Sequence, residues 1–280
     1  MTRNLLGSLV LAGLLLALWR LAPAAVSAYR AEAESETQRI AAAQLAQPAQ
    51  PACSQPLRAL FIGNSHTYYN AMPALVEQLA RAAHETRCFV FTLEAPGGAS
   101  LAEHLAGPKV RELIQHGPWD FVVLQEQQQR PSFTFNAQQL EREFYAPART
   151  LDVLIRVASA KTVLYMTWAR RDGDPPNVPG DTYEAMQERT RQSYMHLAQE
   201  LDALVAPAGL AWRWVRQQRP ELPLWQPDGS HPTLAGSYLA ACVLYAAFYG
   251  HSALDNPFHA GLPDDQAALL QRAAEVARHL

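Results

Sequence analysis

Short apolar runs alternate with amphipathic segments through most of this chain, and no other feature constrains the fold as strongly. Four runs have the composition of buried strands: LRALFIGNS, CFVFTLEAP, WDFVVLQEQ and KTVLYMTWA. The segment ALVAPAG is a weaker fifth. Strands joined by helices pack as a parallel sheet covered on both faces, because each crossover helix returns over the sheet. The alternation therefore predicts an α/β protein, a three-layer α/β/α sandwich of the flavodoxin-like type with a mostly parallel central sheet of about five strands.

The segments between these runs carry apolar residues at helical spacing. We expect helices in MPALVEQLARAAHE and SLAEHLAGPKVRELIQHG, one or two helices in FNAQQLEREFYAPARTLDVLIRVAS, and a helix from about Asp181 to Glu200. A loop rich in Pro, Gly and Asp is expected from Asp172 to Gly180. Ligands of such sheets bind beyond the carboxyl ends of the strands, so the loops that follow the strands are the ones to search for a functional site.

The first residues form a different pattern. Residues 1–28 contain Arg3, an apolar stretch that ends before Arg20, and small residues up to Ala28. This pattern predicts a secretory signal peptide, since the stretch is shorter than the roughly 20 residues that span a bilayer. An uncleaved membrane anchor stays an alternative. We expect residues 29–55 to be a tether rich in Ala, Gln, Glu and Pro, and residues 56–280 to be a single domain that works in the periplasm or is secreted.

Charge and cysteine content narrow the function classes further. The formal net charge of −3 gives no electrostatic reason to expect a nucleic-acid partner. Three cysteines suit an oxidising compartment with at most one disulfide. Cys53 precedes the first predicted strand and Cys88 begins the second, so their sulfurs would meet if these strands are parallel neighbours. Cys242 lies in an apolar helical segment, and we expect it to be a buried core residue.

Ser65, in the stretch FIGNSHTYYN, follows the first predicted strand and is a candidate nucleophile. A serine hydroxyl needs a base within hydrogen-bond reach and a third group that orients the base. The alternative is that Ser65 caps the next helix. His66 is a poor candidate base for Ser65, because adjacent side chains on a helix point in different directions. We expect His66 to pack nearby.

The best candidate base lies far downstream, in the segment WQPDGSHPT. Asp228 and His231 are three residues apart in a stretch that forms turns, just before a long apolar helix. This spacing lets the carboxylate contact one ring nitrogen while the other nitrogen points outward. The alternative is a helix-capping Asp beside a solvated His.

Three motifs together carry a resemblance to a known family. FIGNSHT, APGGASL and DGSHPT, in this order, resemble the conserved motifs of the SGNH (GDSL-like) hydrolases, in which a serine follows the first strand, a glycine the second, and Asp-x-x-His precedes the last helix. The resemblance covers about residues 57–250. It implies that Ser65 is the nucleophile, His231 the general base and Asp228 its orienting group. The backbone N–H groups of Ser65 and Gly98 would hold the oxyanion, with Gly97 as the alternative register.

The third motif departs from the family. Where the family has Gly-x-Asn-Asp, this chain has LQEQQQRP. Aligning the strands places Gln127 at the position of the oxyanion-binding asparagine, with Gln125 as the alternative one pleat earlier. A glutamine amide donates the same hydrogen bond from one methylene further away. Glu126 is expected to be either a structural acid at the strand end or, more simply, a solvated or salt-bridged residue.

Trp168 and Arg170 follow the fourth predicted strand and are our predicted substrate-binding residues. An aromatic ring beside arginines suits a sugar ring that bears acyl groups, or an anionic substrate, but equally suits a loop packed on itself. We predict no metal site, because no histidine has ligand spacing near the candidate site. His104 is expected on the surface of a helix.

The resemblance implies a secreted serine esterase that removes acyl groups from a carbohydrate or another small ester and needs no cofactor. Its predicted partners are small-molecule or glycan ester substrates. An acyltransferase on the same scaffold needs the same residues and stays an alternative. A non-catalytic binding module is a third hypothesis, which only the missing asparagine favours. The sequence predicts no oligomeric state.

Overall fold

The computed structural model describes residues 54–279, and a five-stranded parallel sheet lies at its centre. The strands are β1 Leu57–Ile62, β2 Phe89–Glu94, β3 Phe121–Leu124, β4 Lys161–Tyr165 and β5 Leu204–Ala206. Their order across the sheet is β2-β1-β3-β4-β5, and every neighbouring pair is parallel. The prediction of an α/β sandwich with about five strands is confirmed, and all five predicted runs form strands.

The register of the sheet brings the functional loops to one edge. Ile62, the last residue of β1, pairs with Glu94 at the end of β2 and with Leu124 at the end of β3. Leu124 in turn pairs with Leu164 of β4. The strands therefore end almost level. The loops after β1, β2, β3 and β4 leave the sheet side by side, as the strand-end rule requires.

Ten α-helices surround the sheet in the part of the chain that is described. They are α1 Ser65–Tyr68, α2 Met72–Ala82, α3 Leu101–Ala106, α4 Lys109–His116, α5 Ala137–Leu140, α6 Ala146–Val157, α7 Tyr183–Leu201, α8 Ala208–Gln218, α9 Leu234–Tyr249 and α10 Asp264–Arg278. One group of helices packs around α9 and includes α2, α8 and α10, and a second group packs around α6 and includes α3 and α4.

Two features of the helices differ from the prediction. The single helix expected in SLAEHLAGPKVRELIQHG is two helices, α3 and α4, because Gly107 and Pro108 interrupt the backbone ladder between them. Helices α8 and α10 were not predicted. By contrast, the long segment FNAQQLEREFYAPARTLDVLIRVAS forms α5 and α6 joined by a π-helical turn, Glu141–Tyr145, within the expected one or two helices.

Helix α9 is the core of the larger helical group. Nearly all its residues are buried, and no polar stripe interrupts its apolar surface, which is the pattern of a helix enclosed by protein. Cys242 on this helix is free and buried, as predicted. Cys88 is disulfide-bonded. Strands β1 and β2 are parallel neighbours, but the predicted partner of Cys88, Cys53, lies outside the described residues.

The predicted signal peptide or anchor, residues 1–28, lies outside the described residues, as does the predicted tether 29–55 up to residue 53. The described residues belong to one compact unit. Between residues 54 and 279, no helix has both the length and the apolar character needed to cross a bilayer.

Candidate active site

Ser65 is the first residue of the short helix α1, directly after the turn that ends β1. Asn64, and not Ser65, caps this helix: its side chain accepts a hydrogen bond from the backbone N–H of His66 (3.1 Å). The alternative role of Ser65 as the helix cap is therefore wrong, and its hydroxyl is left for other contacts. The turn needs a glycine at position 63, because a Cβ there would lie 2.5 Å from Oγ1 of Thr67 and 2.6 Å from the Gln125 amide oxygen.

His231 contacts Ser65 across the sheet edge. The Ser65 Oγ lies 2.8 Å from Nε2 of His231, although the two residues are 166 positions apart in the chain. Nδ1 of His231 lies 2.5 Å from Oδ2 of Asp228. The other carboxylate oxygen of Asp228 accepts the backbone N–H groups of Ser230 (2.9 Å) and His231 (3.0 Å). These bonds close the DGSH turn and hold the carboxylate against the ring, so the three predicted residues meet.

The environment keeps Asp228 in its charged form. Partial burial alone would raise the pKa of this carboxyl, but the hydrogen bonds from the His231 ring and from two backbone N–H groups outweigh it and lower the pKa below its usual value. A charged carboxylate beside Nδ1 favours a hydrogen on that nitrogen and leaves Nε2 as the acceptor that faces Ser65.

His66 packs against the same histidine and does not replace it. Its ring stacks on the His231 ring at 5.2 Å between centroids and lies 5.5 Å from the indole of Trp168. Burial first, and then the neighbouring His231, lower the pKa of His66 to about 3. His66 is therefore neutral at physiological pH, in line with its expected packing role.

Trp168 is not at the rim of the site, which corrects the prediction that it binds substrate. Its indole is only 1% exposed, because it stacks on Trp212 at 3.7 Å. Its Nε1 donates to the backbone oxygen of Ser230 (2.9 Å). The indole thus supports the DGSH turn through this hydrogen bond. Gln128 supports the same turn, since its amide accepts from the Ser230 hydroxyl (2.7 Å) and donates to the Trp168 carbonyl (2.9 Å).

The two arginines after β4 differ in their partners. Arg171 forms an ion pair with Asp172 (3.0 Å), and its backbone N–H donates to the Gly229 carbonyl (2.8 Å). Arg170 is half-buried, and its positive charge contributes to lowering the pKa of His66. Within residues 54–279, no hydrogen bond or ion pair involves the Arg170 guanidinium.

The predicted oxyanion loop after β2 lies against the turn that carries Ser65. Gly98 is exposed and has a φ of +73°, a conformation that glycine adopts without strain. The side-chain amide of Asn64 donates to the Ala99 carbonyl (2.8 Å), which ties this loop to the residue before Ser65. Sequence analysis predicted neither this contact of Asn64 nor its role as the helix cap, although an Asn before a short helix is a common cap signal.

The two glutamines proposed for the oxyanion hole differ in their surroundings. Gln125 is fully buried, and its amide oxygen accepts from the Asn64 backbone N–H (2.8 Å) and the Thr67 hydroxyl (2.9 Å). Its amide nitrogen donates to the Glu126 carbonyl (2.6 Å). Gln127 is half-buried, and its amide nitrogen donates to Oε1 of Gln129 (2.9 Å). An amide nitrogen carries two hydrogens, so one on each glutamine is not used in these bonds, but only Gln127 is partly exposed.

Glu126 joins the two segments of the predicted oxyanion hole. Its carboxyl accepts the backbone N–H of Leu101, just beyond the Gly98 loop, at 3.2 Å, and that of Gln127 at 2.5 Å. The side chain is fully buried, so its interpretation as a solvated residue is wrong. Burial raises the pKa of this carboxyl to about 8, against the lowering effect of the two N–H donors. The residue is structural and mostly protonated near neutral pH.

His104 also differs from its prediction. It is buried instead of lying on the helix surface, and its Nε2 lies 2.8 Å from the Gly63 carbonyl. This contact joins α3 to the turn before Ser65. Among the described residues, no group of three or more His, Cys, Asp or Glu side chains is arranged to hold a metal ion.

A serine, a histidine and a carboxylate thus lie in contact beyond the ends of the strands, and the fold that carries them is similar to that of solved hydrolases. A protein from Slackia heliotrinireducens, described as an SGNH hydrolase, is 30% identical, covers 69% of this chain and 99% of its own, and has a TM-score of 0.58. A DUF4886 family protein from Bacteroides uniformis is 17% identical over 80% of this chain and 95% of its own, with a TM-score of 0.67.

The acetylxylan esterase Axe2 from Geobacillus stearothermophilus is 17% identical over 72% of this chain and 98% of its own, with a TM-score of 0.55. No protein-family model matches the sequence, and no curated protein matches it. The chain belongs to the SGNH hydrolase superfamily.

Proposed function

We propose that this protein is a serine ester hydrolase in which Ser65 is the nucleophile, His231 the general base and Asp228 the group that orients the base. The proposal is carried by the chain of contacts from the Ser65 hydroxyl to His231 (2.8 Å) and from His231 to Asp228 (2.5 Å). A serine activated in this way attacks carbonyl carbon, which is the chemistry of acyl transfer.

In the first half of the reaction, Nε2 of His231 takes the hydroxyl proton while Oγ of Ser65 bonds to the ester carbonyl carbon. The carbonyl π electrons move to oxygen and form the tetrahedral oxyanion. When this intermediate collapses, the bond to the alcohol oxygen breaks and His231 returns the proton to the leaving alcohol. Asp228 stabilises the imidazolium that exists between the two transfers, and its lowered pKa keeps it charged.

The oxyanion is stabilised by the backbone N–H groups of Ser65 and Gly98 and by the amide of Gln127. Removing one such donor typically costs about 3 to 4 kcal/mol of transition-state stabilisation. We assign Gln127 and not Gln125, because the Gln125 side chain is fully buried and bonded inside the protein, whereas Gln127 is half-buried and retains an amide hydrogen for a ligand. Water then attacks the acyl-enzyme with His231 again as the base, and the acid leaves.

The exposed Gly98 loop favours hydrolysis over acyl transfer to a second alcohol, since a transferase must keep water from its acyl-enzyme. We further propose a small or carbohydrate ester as the substrate, with Arg170 at its polar end. The acetylxylan esterase that shares this fold supports the carbohydrate class. The leader-like pattern of residues 1–28 and the disulfide at Cys88 support a location outside the cytoplasm.

A fluorophosphonate probe tests the proposed nucleophile directly. We expect the purified protein to be labelled, Ser65→Ala to abolish labelling, and the exposed Ser54→Ala to be labelled like the wild type. A wild type that stays unlabelled beside a reactive control hydrolase would refute the serine mechanism.

The substrate class is tested separately, with a panel of short aryl esters, long-chain esters and acetylated glycans. We expect short acyl esters and acetylated oligosaccharides to be hydrolysed with the highest kcat/KM. Preference for the long-chain esters would contradict the proposed substrate class while leaving the serine mechanism intact.

A further inference from the structure

Two rings pack against His231, and the reaction described so far uses neither of them. The ring of Tyr69 stacks on the imidazole, with centroids 4.4 Å apart and planes 21° from parallel. His66 stacks at 5.2 Å and 27°. Two near-parallel neighbours restrict the rotation of the imidazole about its last side-chain bond more strongly than the contact with Asp228 alone.

The position of Tyr69 is built into the backbone. The next two residues, Asn70 and Ala71, both have a φ of 51°, which is unfavourable for residues other than glycine and is found where the surrounding structure enforces it. The Asn70 amide donates to the carbonyl of Pro232, the residue after His231, at 3.1 Å. It also donates to the Ser237 hydroxyl at 2.9 Å. The strained turn that carries Tyr69 is therefore bonded to the segment that carries the histidine.

A further hydrogen bond joins Tyr69 to helix α9. The hydroxyl of Ser237, in the first turn of α9, donates to the Tyr69 carbonyl at 3.2 Å. Together with the Asn70 amide, this bond joins the turn after α1 to α9. Because the bonded residues are 162 to 168 positions apart in the chain, the stack forms only when these distant parts of the domain are folded together.

We propose that Tyr69 and His66 form an aromatic clamp that positions the His231 imidazole, and that the face of Tyr69 stabilises the imidazolium formed when Ser65 gives up its proton. This proposal rests on the serine mechanism above. The face of an aromatic ring attracts a cation within about 6 Å of its centroid, and Tyr69 meets that distance. His66, uncharged because it is buried, supplies a second stacked ring without repelling the cation.

Three further charged groups face this pair of histidines. Asp228 bonds the imidazole from its own turn. Arg170, after β4, acts on His66, and Arg171 acts on Asp228. A substitution of Tyr69 leaves all three groups in place, so a change in the pH profile of the reaction reports the missing ring.

The variants Tyr69→Leu and Tyr69→Phe distinguish the effect of the aromatic ring from the effect of its hydroxyl group. Removing the ring takes away the aromatic face that stabilises the imidazolium. We expect Tyr69→Leu to move the acid limb of the kcat pH profile to lower pH by about half a unit and to reduce kcat about tenfold, with a much smaller change in KM. Tyr69→Phe should restore both the profile and kcat. Tyr145→Leu is a matched control, because it removes a tyrosine that packs beside a different histidine, His196.

A second measurement does not depend on activity. In NMR spectra of protein with labelled histidine, the His231 ring protons, assigned with His231→Gln, should be shifted upfield by the stacked rings and should lose part of that shift in Tyr69→Leu. A wild type that hydrolyses no ester would overturn the proposed function, while this shift would still support the clamp. An active wild type whose Tyr69→Leu variant has an unchanged acid limb and unchanged His231 shifts would overturn the clamp alone.

Discussion

The two halves of the site are held in different ways. The base half, which consists of the Asp228–His231 turn and its neighbours, is enclosed around its histidine: His231 and Trp168 are buried although Asp228 is exposed, and the side chains of Tyr69, Trp168 and Gln128 support the turn. The oxyanion half, which consists of the Gly98 loop and the segment around Gln127, is more open, with Gly98 exposed and Gln127 half-buried.

The difference follows from what each half must do. A proton donor and acceptor must stay within about 3 Å of each other, which requires a ring that cannot rotate. The oxyanion half must admit the substrate carbonyl, so its donors lie at the surface and are held by their backbones, through the Asn64 bond to Ala99 and the Glu126 bonds to Leu101 and Gln127.

The largest effect is expected in the base half. His231→Gln removes the base that contacts Ser65, and we expect kcat to fall by about four orders of magnitude or more. His251→Gln is the matched control, since this histidine also pairs with a carboxylate, Glu85 (2.9 Å), but beyond the far end of α9. Ester turnover by both variants, with circular dichroism to verify folding, checks the prediction. Turnover by His231→Gln close to that of His251→Gln would mean that another base acts.

In the oxyanion half, the two glutamines should respond differently. We expect Gln127→Ala to lower kcat by about 10² to 10³ with little change in thermal stability, because it removes an oxyanion donor from a half-buried position. Gln125→Ala leaves the buried Asn64 N–H and Thr67 hydroxyl without an acceptor, so we expect it to lower the free energy of unfolding by about 1 to 3 kcal/mol. The reverse pattern in kinetics and thermal unfolding would reassign the donor to Gln125.

The sequence predicted the base half and the sheet better than the oxyanion half. Ser65, Asp228 and His231 lie in motifs whose resemblance to the SGNH hydrolases implied that the three side chains act together. The role of Gln127 is harder to predict, because four of the five residues from 125 to 129 are glutamines and only the tertiary contacts distinguish them. The gap between α3 and α4 was signalled by the Gly-Pro pair at 107–108, a common helix breaker.

Other features depend on partners that are distant in the chain. Trp168 follows a strand and carries no signal that it is buried, since its stacking partner, Trp212, lies on a helix that the sequence analysis did not predict. Tyr69 is similar: its contact with His231 depends on two residues with positive φ whose types, Asn and Ala, only partly favour that conformation. Long-range packing and enforced backbone geometry are the parts that local patterns do not encode.

A smaller effect is expected from the two arginines beside the base half. Arg170 has no partner among residues 54–279 and Arg171 is paired with Asp172, so only Arg170 is available to a negatively charged substrate group. We expect Arg170→Gln to raise KM about tenfold for a succinyl monoester and little for the matching neutral butyryl ester. Arg171→Gln should leave both KM values near wild type. An equal change for the two esters in Arg170→Gln would contradict the charge contact and indicate a steric role.

The last predicted effect is on folding stability and concerns Glu126, which joins the two segments of the oxyanion half. Its pKa is about 8 in the folded protein against 4.5 for an ordinary glutamate, so between these values the folded state retains a proton that the unfolded state has released. The stability gained in this way is complete below pH 4.5 and is lost as the pH rises through 8, at up to about 1.4 kcal/mol per pH unit.

Glu126→Gln resembles the protonated acid at every pH. We therefore expect its free energy of unfolding to rise relative to wild type as the pH increases from 5 to 8, measured by urea denaturation at several pH values. Parallel stability curves for the two proteins would show that the buried carboxyl does not titrate in this range and that its contacts with Leu101 and Gln127 are equally strong at each pH.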